Sequence, residues 1–121
     1  MSLIACTVCG MPYPEDANPF ICGCGGVFDY QKFPAFNLRE PKETGVWAYS
    51  KSLNHDEKSP VISLGEGSTP LIPVTMGKRQ IWLKLESANP TGSYKDRGST
   101  TLVSHLKSRG VDYVIEDSSG N

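Results

Sequence analysis

One lysine, Lys95, stands where its amine could act as a nucleophile. It lies in residues 89–98, which read Asn-Pro-Thr-Gly-Ser-Tyr-Lys-Asp-Arg-Gly, and this pattern predicts that it occupies the first turn of a helix. Partial positive charge at a helix N-terminus disfavours a cation by roughly 0.3–1 kcal/mol and so favours the neutral amine. A neutral lysine amine can form a Schiff base with an aldehyde. The alternative, which the spacing leaves open, is an ordinary solvated lysine on a surface helix.

The residues on either side of this lysine carry the signals of a turn followed by a helix start. Gly92 can supply the positive φ that a tight turn needs. Ser93 followed by Asp96 has the Ser-x-x-Asp form of a capping box. Apolar residues recur at helical spacing after it, and Gly110 suits the position just beyond a helix end. The pattern therefore predicts a helix over 94–109 with Ser93 as its N-cap.

Four cysteines in the first 24 residues form a second group that could do chemistry. They make a Cys-x-x-Cys pair and, twelve residues later, a Cys-x-Cys pair, each followed by glycine: Cys6, Cys9, Cys22 and Cys24. Two such knuckles suit tetrahedral binding of a structural zinc ion, with no open position for catalysis. A strip this short could not bury enough apolar surface to fold unaided, so the metal would supply that energy. The alternatives are four free thiols or two disulfides, the latter disfavoured because we see no secretory signal.

The composition is that of a folded, soluble protein. Hydrophobic residues make up 38% and charged residues 21% of the chain, which argues against disorder. The net charge of −1 argues against a general attraction to nucleic acid or to an anionic membrane. Apolar runs fall far short of the ~18 residues of a membrane span. We therefore expect a cytoplasmic protein that engages neither nucleic acid nor membrane.

The elements that must position these groups alternate between strands and a helix. We expect strands over 61–64, 71–74 and 81–85, then the helix, and then a strand over 111–115. Pro73 predicts either a sheet edge or an irregular extended segment for the second of these. Strand, helix and strand in succession predict a right-handed, parallel βαβ unit and an α/β fold. The lysine and the polar residues after the last strand would then meet at one edge of the sheet.

The chain divides by composition into three parts. Residues 1–30 are expected to form a zinc-ribbon-like segment, and 31–60 a linker with a short helix over 44–53. Residues 61–121 are expected to begin the α/β domain. This organisation places the cysteines and the lysine in different domains.

Residues 89–98 resemble the lysine motif of the fold-type II pyridoxal-phosphate enzymes, and most of all that of the threonine synthases. Three further segments agree in order and spacing: 63–71 (Ser-Leu-Gly-Glu-Gly-Ser-Thr-Pro-Leu), 81–86 (Ile-Trp-Leu-Lys-Leu-Glu) and 116–121 (Glu-Asp-Ser-Ser-Gly-Asn). The resemblance spans about residues 46–121, and the lysine motif is specific. Tyr94 stands where the family more often has phenylalanine, a conservative change.

The resemblance implies a role for each matching residue. Lys95 would bind the aldehyde of pyridoxal 5′-phosphate and carry protons at the substrate's α and neighbouring carbons. Asn121 would hydrogen-bond the cofactor's ring hydroxyl, and Ser118, Ser119 and Gly120 would hold the substrate carboxylate. The implied reaction is that of a lyase converting a small molecule, O-phospho-L-homoserine, and water to L-threonine and phosphate. Some threonine synthases carry a similar N-terminal zinc ribbon, which the cysteine pairs resemble.

Two elements that the family needs have no match in these 121 residues. They are a glycine-rich loop for the cofactor phosphate and a side chain facing the pyridine nitrogen. We therefore expect an N-terminal fragment of a longer enzyme, inactive by itself. Alternatives are another fold-type II enzyme, such as an amino-acid dehydratase or a β-replacing synthase, and a zinc-ribbon binding module. The sequence leaves open a homo-oligomer.

Overall fold

The structure, a computed structural model, describes residues 3–33, 35–36 and 43–117. These residues belong to two compact units, Met1–Ala35 and Phe36–Asn121. Within the described parts of the chain, every helix is too short or too polar to cross a membrane.

The first unit is built on a small antiparallel pair of strands, β1 (Ile4–Cys6) and β2 (Phe28–Tyr30). Strands of three residues bury little, and the buried hydrophobic residues described in this unit are Ala5, Cys6 and Cys22. Two of these three residues are cysteines. The interior of the unit therefore lies where the cysteine side chains gather.

The second unit contains an antiparallel hairpin of β3 (Leu71–Met76) and β4 (Arg79–Lys84). Gly77, in the two-residue connection, takes a φ of +61°, which glycine adopts without strain. Both strands were predicted, and each extends further towards the turn than the apolar pattern indicated. Pro73 pairs with Trp82 in a two-stranded sheet, where each strand is an edge, as expected of a residue without an N–H.

The predicted helix is confirmed as α1 (Asp96–Ser108), two residues shorter at its start and one at its end. Its C-terminus closes as a Schellman motif, in which the N–H of Val111 donates to Leu106 O at 3.0 Å and that of Gly110 donates to Lys107 O at 3.1 Å. Gly110 has a φ of +74° and so fills the position predicted for it.

The predicted linker helix is confirmed as a 3₁₀ helix, Gly45–Ser52. It buries Val46, Trp47 and Ala48, which are the described buried apolar residues of the second unit. The Val46 N–H donates to Glu66 O at 3.2 Å. This 3₁₀ helix therefore packs within the second unit.

The inner face of α1 is polar. Asp96, Thr100 and Ser104 recur every four residues and are all buried, with Ser104 fully enclosed. Thr100 Oγ1 donates to Ile62 O at 2.6 Å and accepts the Trp47 Nε1–H at 3.0 Å. Ser104 Oγ accepts the Ile62 N–H at 2.9 Å. Hydroxyl groups therefore fix α1 against an extended backbone segment.

The predictions of strands over 61–64 and 111–115 are wrong, since the structure assigns no strand to either segment. The N–H and C=O of Ile62 bond to α1 hydroxyls, which leaves them unable to join a ladder. In the second segment, Tyr113 and Ile115 are 80% and 81% exposed. A strand needs a neighbour to pair with, and none lies beside it among the described residues. The parallel βαβ unit is therefore absent from the described part, although its mixture of strands and helix fits an α/β fold.

Candidate functional site

Lys95 lies at the junction between a tight turn and α1. Its backbone is already helical, with φ −61° and ψ −24°, although α1 begins at the next residue. Ser93 Oγ accepts the Lys95 N–H at 3.2 Å within the turn, but Ser93 is not the N-cap as predicted, because α1 begins only at Asp96. Gly92 takes a φ of +78° in the turn. Lys95 is exposed, so a small molecule can reach it from solvent.

The predicted capping box forms only in part. Asp96 does not reach back to Ser93 in the manner predicted; its buried carboxylate accepts the Thr91 N–H at 2.8 Å and the Thr91 hydroxyl at 2.5 Å. The turn folds Thr91 over the start of α1, which makes it the nearer donor. These two bonds close the turn on itself and hold its shape around Lys95.

A group of four side chains ties this turn to the end of β4, and we call Thr69, Glu86, Asn89 and Arg97 the Glu86 cluster. Arg97 forms a two-point ion pair with Glu86, with Nε–Oε2 at 2.7 Å and Nη2–Oε1 at 2.9 Å. Thr69 Oγ1 donates to Glu86 Oε1 at 2.8 Å and accepts from Arg97 Nη2 at 2.9 Å. Asn89 Nδ2 donates to Glu86 Oε2 at 3.0 Å. Both carboxylate oxygens therefore have partners.

This cluster keeps both of its charges. The hydrogen bonds from Arg97, followed by the one from Thr69, lower the pKa of Glu86 to about 2. The same contact with Glu86 raises the pKa of Arg97. A pair that is charged on both sides and bonded at two points has a defined orientation.

The buried residue Asn89 connects the cluster to the loop that follows Glu66. Its Oδ1 accepts the Gly67 N–H at 3.0 Å, while its Nδ2 also donates to Glu86 O at 2.8 Å. Lys84 Nζ donates to the Thr69 carbonyl in the same region. The structure thus brings together the three segments that the sequence singled out, 63–71, 81–86 and 89–98.

Glu66 is a second organising carboxylate, 2% exposed. It accepts the Ser63 hydroxyl and the Leu64 N–H, each at 2.8 Å. Burial raises the pKa of Glu66, but the hydrogen bonds from backbone N–H groups and Ser63 outweigh it, so the net pKa is lowered. This loop therefore contains a buried negative charge that hydrogen bonds from the loop itself stabilise.

The four cysteine sulfurs of the first unit form a compact group. All lie within 4.8 Å of one another, with Cys6 Sγ 3.5 Å from Cys24 Sγ and Cys9 Sγ 3.7 Å from Cys22 Sγ. None of them is in a disulfide. Four thiolates about 2.3 Å from a zinc ion at tetrahedral angles would lie about 3.8 Å apart. The sulfur spacing and the soft donor set therefore fit a tetrahedral metal.

Backbone geometry draws these sulfurs together. Gly10 and Gly25 have φ of +75° and +87° in the two knuckles, which glycine permits. A Cβ on Gly26 would lie 2.6 Å from Cys6 Sγ, so only glycine fits there. The N–H groups of Cys9 and Val8 lower the pKa of Cys6 to about 6. The knuckle therefore favours a thiolate at Cys6, the form that binds metal.

A model of the family described as pyridoxal-phosphate dependent enzyme matches residues 62–121. This part of the chain belongs to that family. It is 38% identical to the threonine synthase of Methanocaldococcus jannaschii over 129 aligned positions, covering 96% of this chain and 32% of that protein. The threonine synthase of Methanosarcina acetivorans is 33% identical over 129 positions, covering 98% and 31%. That of Bacillus sp. (strain ULM1) is 44% identical over 77 positions, covering 60% and 22%.

The chain therefore spans less than a third of the length of each of these three relatives. The search of solved structures found no match. The resemblance inferred from residues 89–98 is confirmed by these relatives.

Four site residues inferred from the family resemblance lie outside the described part of the structure: Ser118, Ser119, Gly120 and Asn121. Lys95 and the four cysteines lie within it. Asp117 is the last described residue before these four. The roles given to all of these residues stay predictions.

The Glu86 cluster was missed by sequence reasoning. Glu86 ends the segment 81–86 and Arg97 follows Lys95 by two residues, so both belong to segments already singled out. The sequence did contain one signal for this cluster, which is the opposite charge of Glu86 and Arg97 in two segments expected to lie close together. Asn89 and Thr69 gave no such signal, because amide and hydroxyl side chains in turns usually serve the local backbone.

Proposed function

We propose that this chain is part of a cytoplasmic lyase of the threonine synthase type. The reaction would convert O-phospho-L-homoserine and water to L-threonine and phosphate with pyridoxal 5′-phosphate as cofactor. The observation that carries the proposal is Lys95, an exposed amine at the start of α1 in a turn fixed by hydrogen bonds. Identity with curated threonine synthases over nearly the whole chain supports it.

The residues of this chain would divide the work as follows. Lys95 would hold the cofactor through its amine and move protons at the substrate's α and neighbouring carbons. A primary amine is the group that forms a Schiff base with an aldehyde. The bound cofactor would supply the electron sink for negative charge on those carbons. Ser118, Ser119 and Gly120 would bind the substrate carboxylate, and Asn121 the cofactor's ring hydroxyl.

The test of Lys95 is spectroscopic. The protein that contains this chain is mixed with pyridoxal phosphate, and the visible absorbance of lysine-bound cofactor is compared with that of the Lys95→Ala variant. We expect the band in the wild type and its loss in the variant. Lys78→Ala, in the hairpin turn between β3 and β4, is the matched control and should keep the band. A wild-type protein without the band would overturn the proposal.

Substrate identity needs a separate measurement. We expect release of inorganic phosphate and formation of threonine from O-phosphohomoserine. Turnover of threonine or serine to an oxo acid, with none of O-phosphohomoserine, would instead identify an amino-acid dehydratase that shares the same lysine.

We also propose that the segment 1–30 is a zinc ribbon, followed by a linker over 31–60 and the cofactor domain over 61–121. The sulfur spacing and the soft donor set support zinc at Cys6, Cys9, Cys22 and Cys24. Metal analysis of protein prepared without chelator should find one zinc per chain. A content clearly below one would contradict this.

A further inference from the structure

We propose that Glu86 and Arg97 are positioning residues that set the direction of the Lys95 amine. This inference rests on the function proposed for Lys95. Successive residues of an α-helix are rotated by about 100° about its axis. Asp96 points inward and is 9% exposed. Lys95 and Arg97 therefore lie on opposite flanks of it, so a fixed Arg97 also fixes the flank from which Lys95 leaves the helix.

The ion pair links the first turn of α1 to the end of the hairpin, while Asn89 links the start of the preceding turn to the same Glu86. Glu86 begins the short 3₁₀ helix Glu86–Ala88, which follows β4 almost directly. Its two hydrogen bonds to Arg97 therefore fix the position of the start of α1 relative to the end of β4. A two-point contact resists rotation, whereas a single bond acts as a pivot. The side chains of Arg97 and Glu86 are 33% and 28% exposed, so solvent screens the pair only in part.

The other contacts hold different parts of this region. The bonds from Asn89 to Glu86 and Gly67 fix the entry of the turn, on the far side of Lys95 from α1. The bonds from Thr91 to Asp96 join residues of one turn and move with it. Thr100 and Ser104 bond to Ile62 further along α1 and hold the helix as a whole. Removing the ion pair should therefore leave α1 in place while its first turn gains rotational freedom.

The test uses the protein that contains this chain, with Glu86→Gln and Arg97→Lys variants and pyridoxal phosphate as the probe. The rate at which the visible absorbance of lysine-bound cofactor develops should fall in Glu86→Gln, by up to about a hundredfold, which is what a group misplaced by about 1 Å can cost. Arg97→Lys keeps both charges but loses the two-point geometry, so its rate should lie between that of Glu86→Gln and that of the wild type.

Asp112→Asn is the matched control. It removes a carboxylate from the Lys107–Asp112 ion pair, which has an N–O distance of 2.6 Å and exposed partners, just beyond the far end of α1. Its rate should equal that of the wild type. Native-state hydrogen exchange is the second readout, and in Glu86→Gln it should quicken at residues 93–99 while residues 102–108 stay protected.

Each outcome either supports or overturns the positioning role of Glu86 and Arg97. Wild-type rates in both Glu86→Gln and Arg97→Lys would overturn the inference and leave the proposed function standing. A wild-type protein that develops no absorbance would overturn both. If circular dichroism shows that Glu86→Gln does not fold, Arg97→Lys decides alone, because it retains the charge pair.

Discussion

Replacing Thr100 by valine tests whether hydroxyl groups hold α1 in place. The substitution keeps the size and branching of the side chain and removes its hydrogen bonds. Thr100 is 6% exposed and bonds to the buried Trp47 side chain and to the backbone of Ile62, a residue that is 44% exposed. Trp47 Nε1 donates to its hydroxyl at 3.0 Å, and the hydroxyl donates to Ile62 O at 2.6 Å.

The magnitude follows from the two partners left behind. A buried donor or acceptor that loses its partner costs about 1–3 kcal/mol. Trp47 Nε1–H would be left without the acceptor that the structure gives it. Ile62 O still accepts a longer hydrogen bond from the Ser104 hydroxyl at 3.4 Å, so the free energy lost at this acceptor lies at or below the lower end of that range. We therefore expect Thr100→Val to lower the free energy of unfolding by about 1–3 kcal/mol, set mainly by the Trp47 Nε1–H, which is a large part of the ~5–15 kcal/mol typical of a domain.

Tryptophan fluorescence during urea unfolding measures this directly. Both tryptophans of the chain, Trp47 and Trp82, lie in the second unit, so the signal reports on that unit alone. Trp47 is 6% exposed and Trp82 is 59% exposed, and the change on unfolding should therefore come mainly from Trp47.

Thr101→Val is the matched control on the next residue of the same helix. The Thr101 hydroxyl donates only to the local Gly98 O, at 2.8 Å and in an exposed position. Its loss should change the free energy of unfolding by no more than about 0.5 kcal/mol. If Thr100→Val costs no more than Thr101→Val, the hydroxyl contacts do not hold α1, and the reasoning is refuted.

Two further predictions concern the cysteine group and Glu86. Gly26→Ala should sharply weaken zinc binding in a chelator competition, because the added Cβ would lie 2.6 Å from Cys6 Sγ. Gly23→Ala is the control and should bind zinc as the wild type does, because its Cβ would meet nothing within 4 Å. Equal zinc affinities of the two variants would contradict the proposed packing of Gly26 against the cysteine group. The pKa of Glu86 lies at about 2 in the folded protein, below its ordinary value of 4.5, so its stabilising contribution is complete above pH 4.5 and is lost as the pH falls towards 2. Acid unfolding should therefore be steeper in the wild type than in Glu86→Gln between these pH values, and parallel curves would count against the ion pair.

Features with local causes were predictable from the sequence. The helix was marked by Ser93 and Gly110 and by its apolar spacing, and it appears with its N-cap at Lys95, two residues after the predicted Ser93, and with a Schellman end. The cysteine group followed from two short spacings, each with a glycine. In both cases the residues that decide the structure lie within a few positions of one another.

Features that depend on distant partners were not predictable. Residues 111–115 are apolar enough for a strand, but no strand lies beside them in the described structure. Of the apolar residues that indicated a helix, Leu102 and Val103 are exposed and Leu106 is half-buried, while Thr100 and Ser104 face inward. Their partner is the backbone of Ile62, and a backbone acceptor leaves no trace in the sequence.

The polar inner face of α1 affects how the second unit responds to temperature. Among the described residues of this unit, the buried side chains are mostly polar: Val46, Trp47 and Ala48 against Glu66, Thr69, Asn89, Asp96, Thr100 and Ser104. Exposure of apolar surface raises the heat capacity of unfolding, and exposure of polar surface lowers it. The heat capacity change should therefore fall below the usual ~12–15 cal/mol/K per residue. With a smaller heat capacity change, the curve of unfolding free energy against temperature is flatter. Cooling should therefore weaken this unit less than it weakens a domain held by an apolar core.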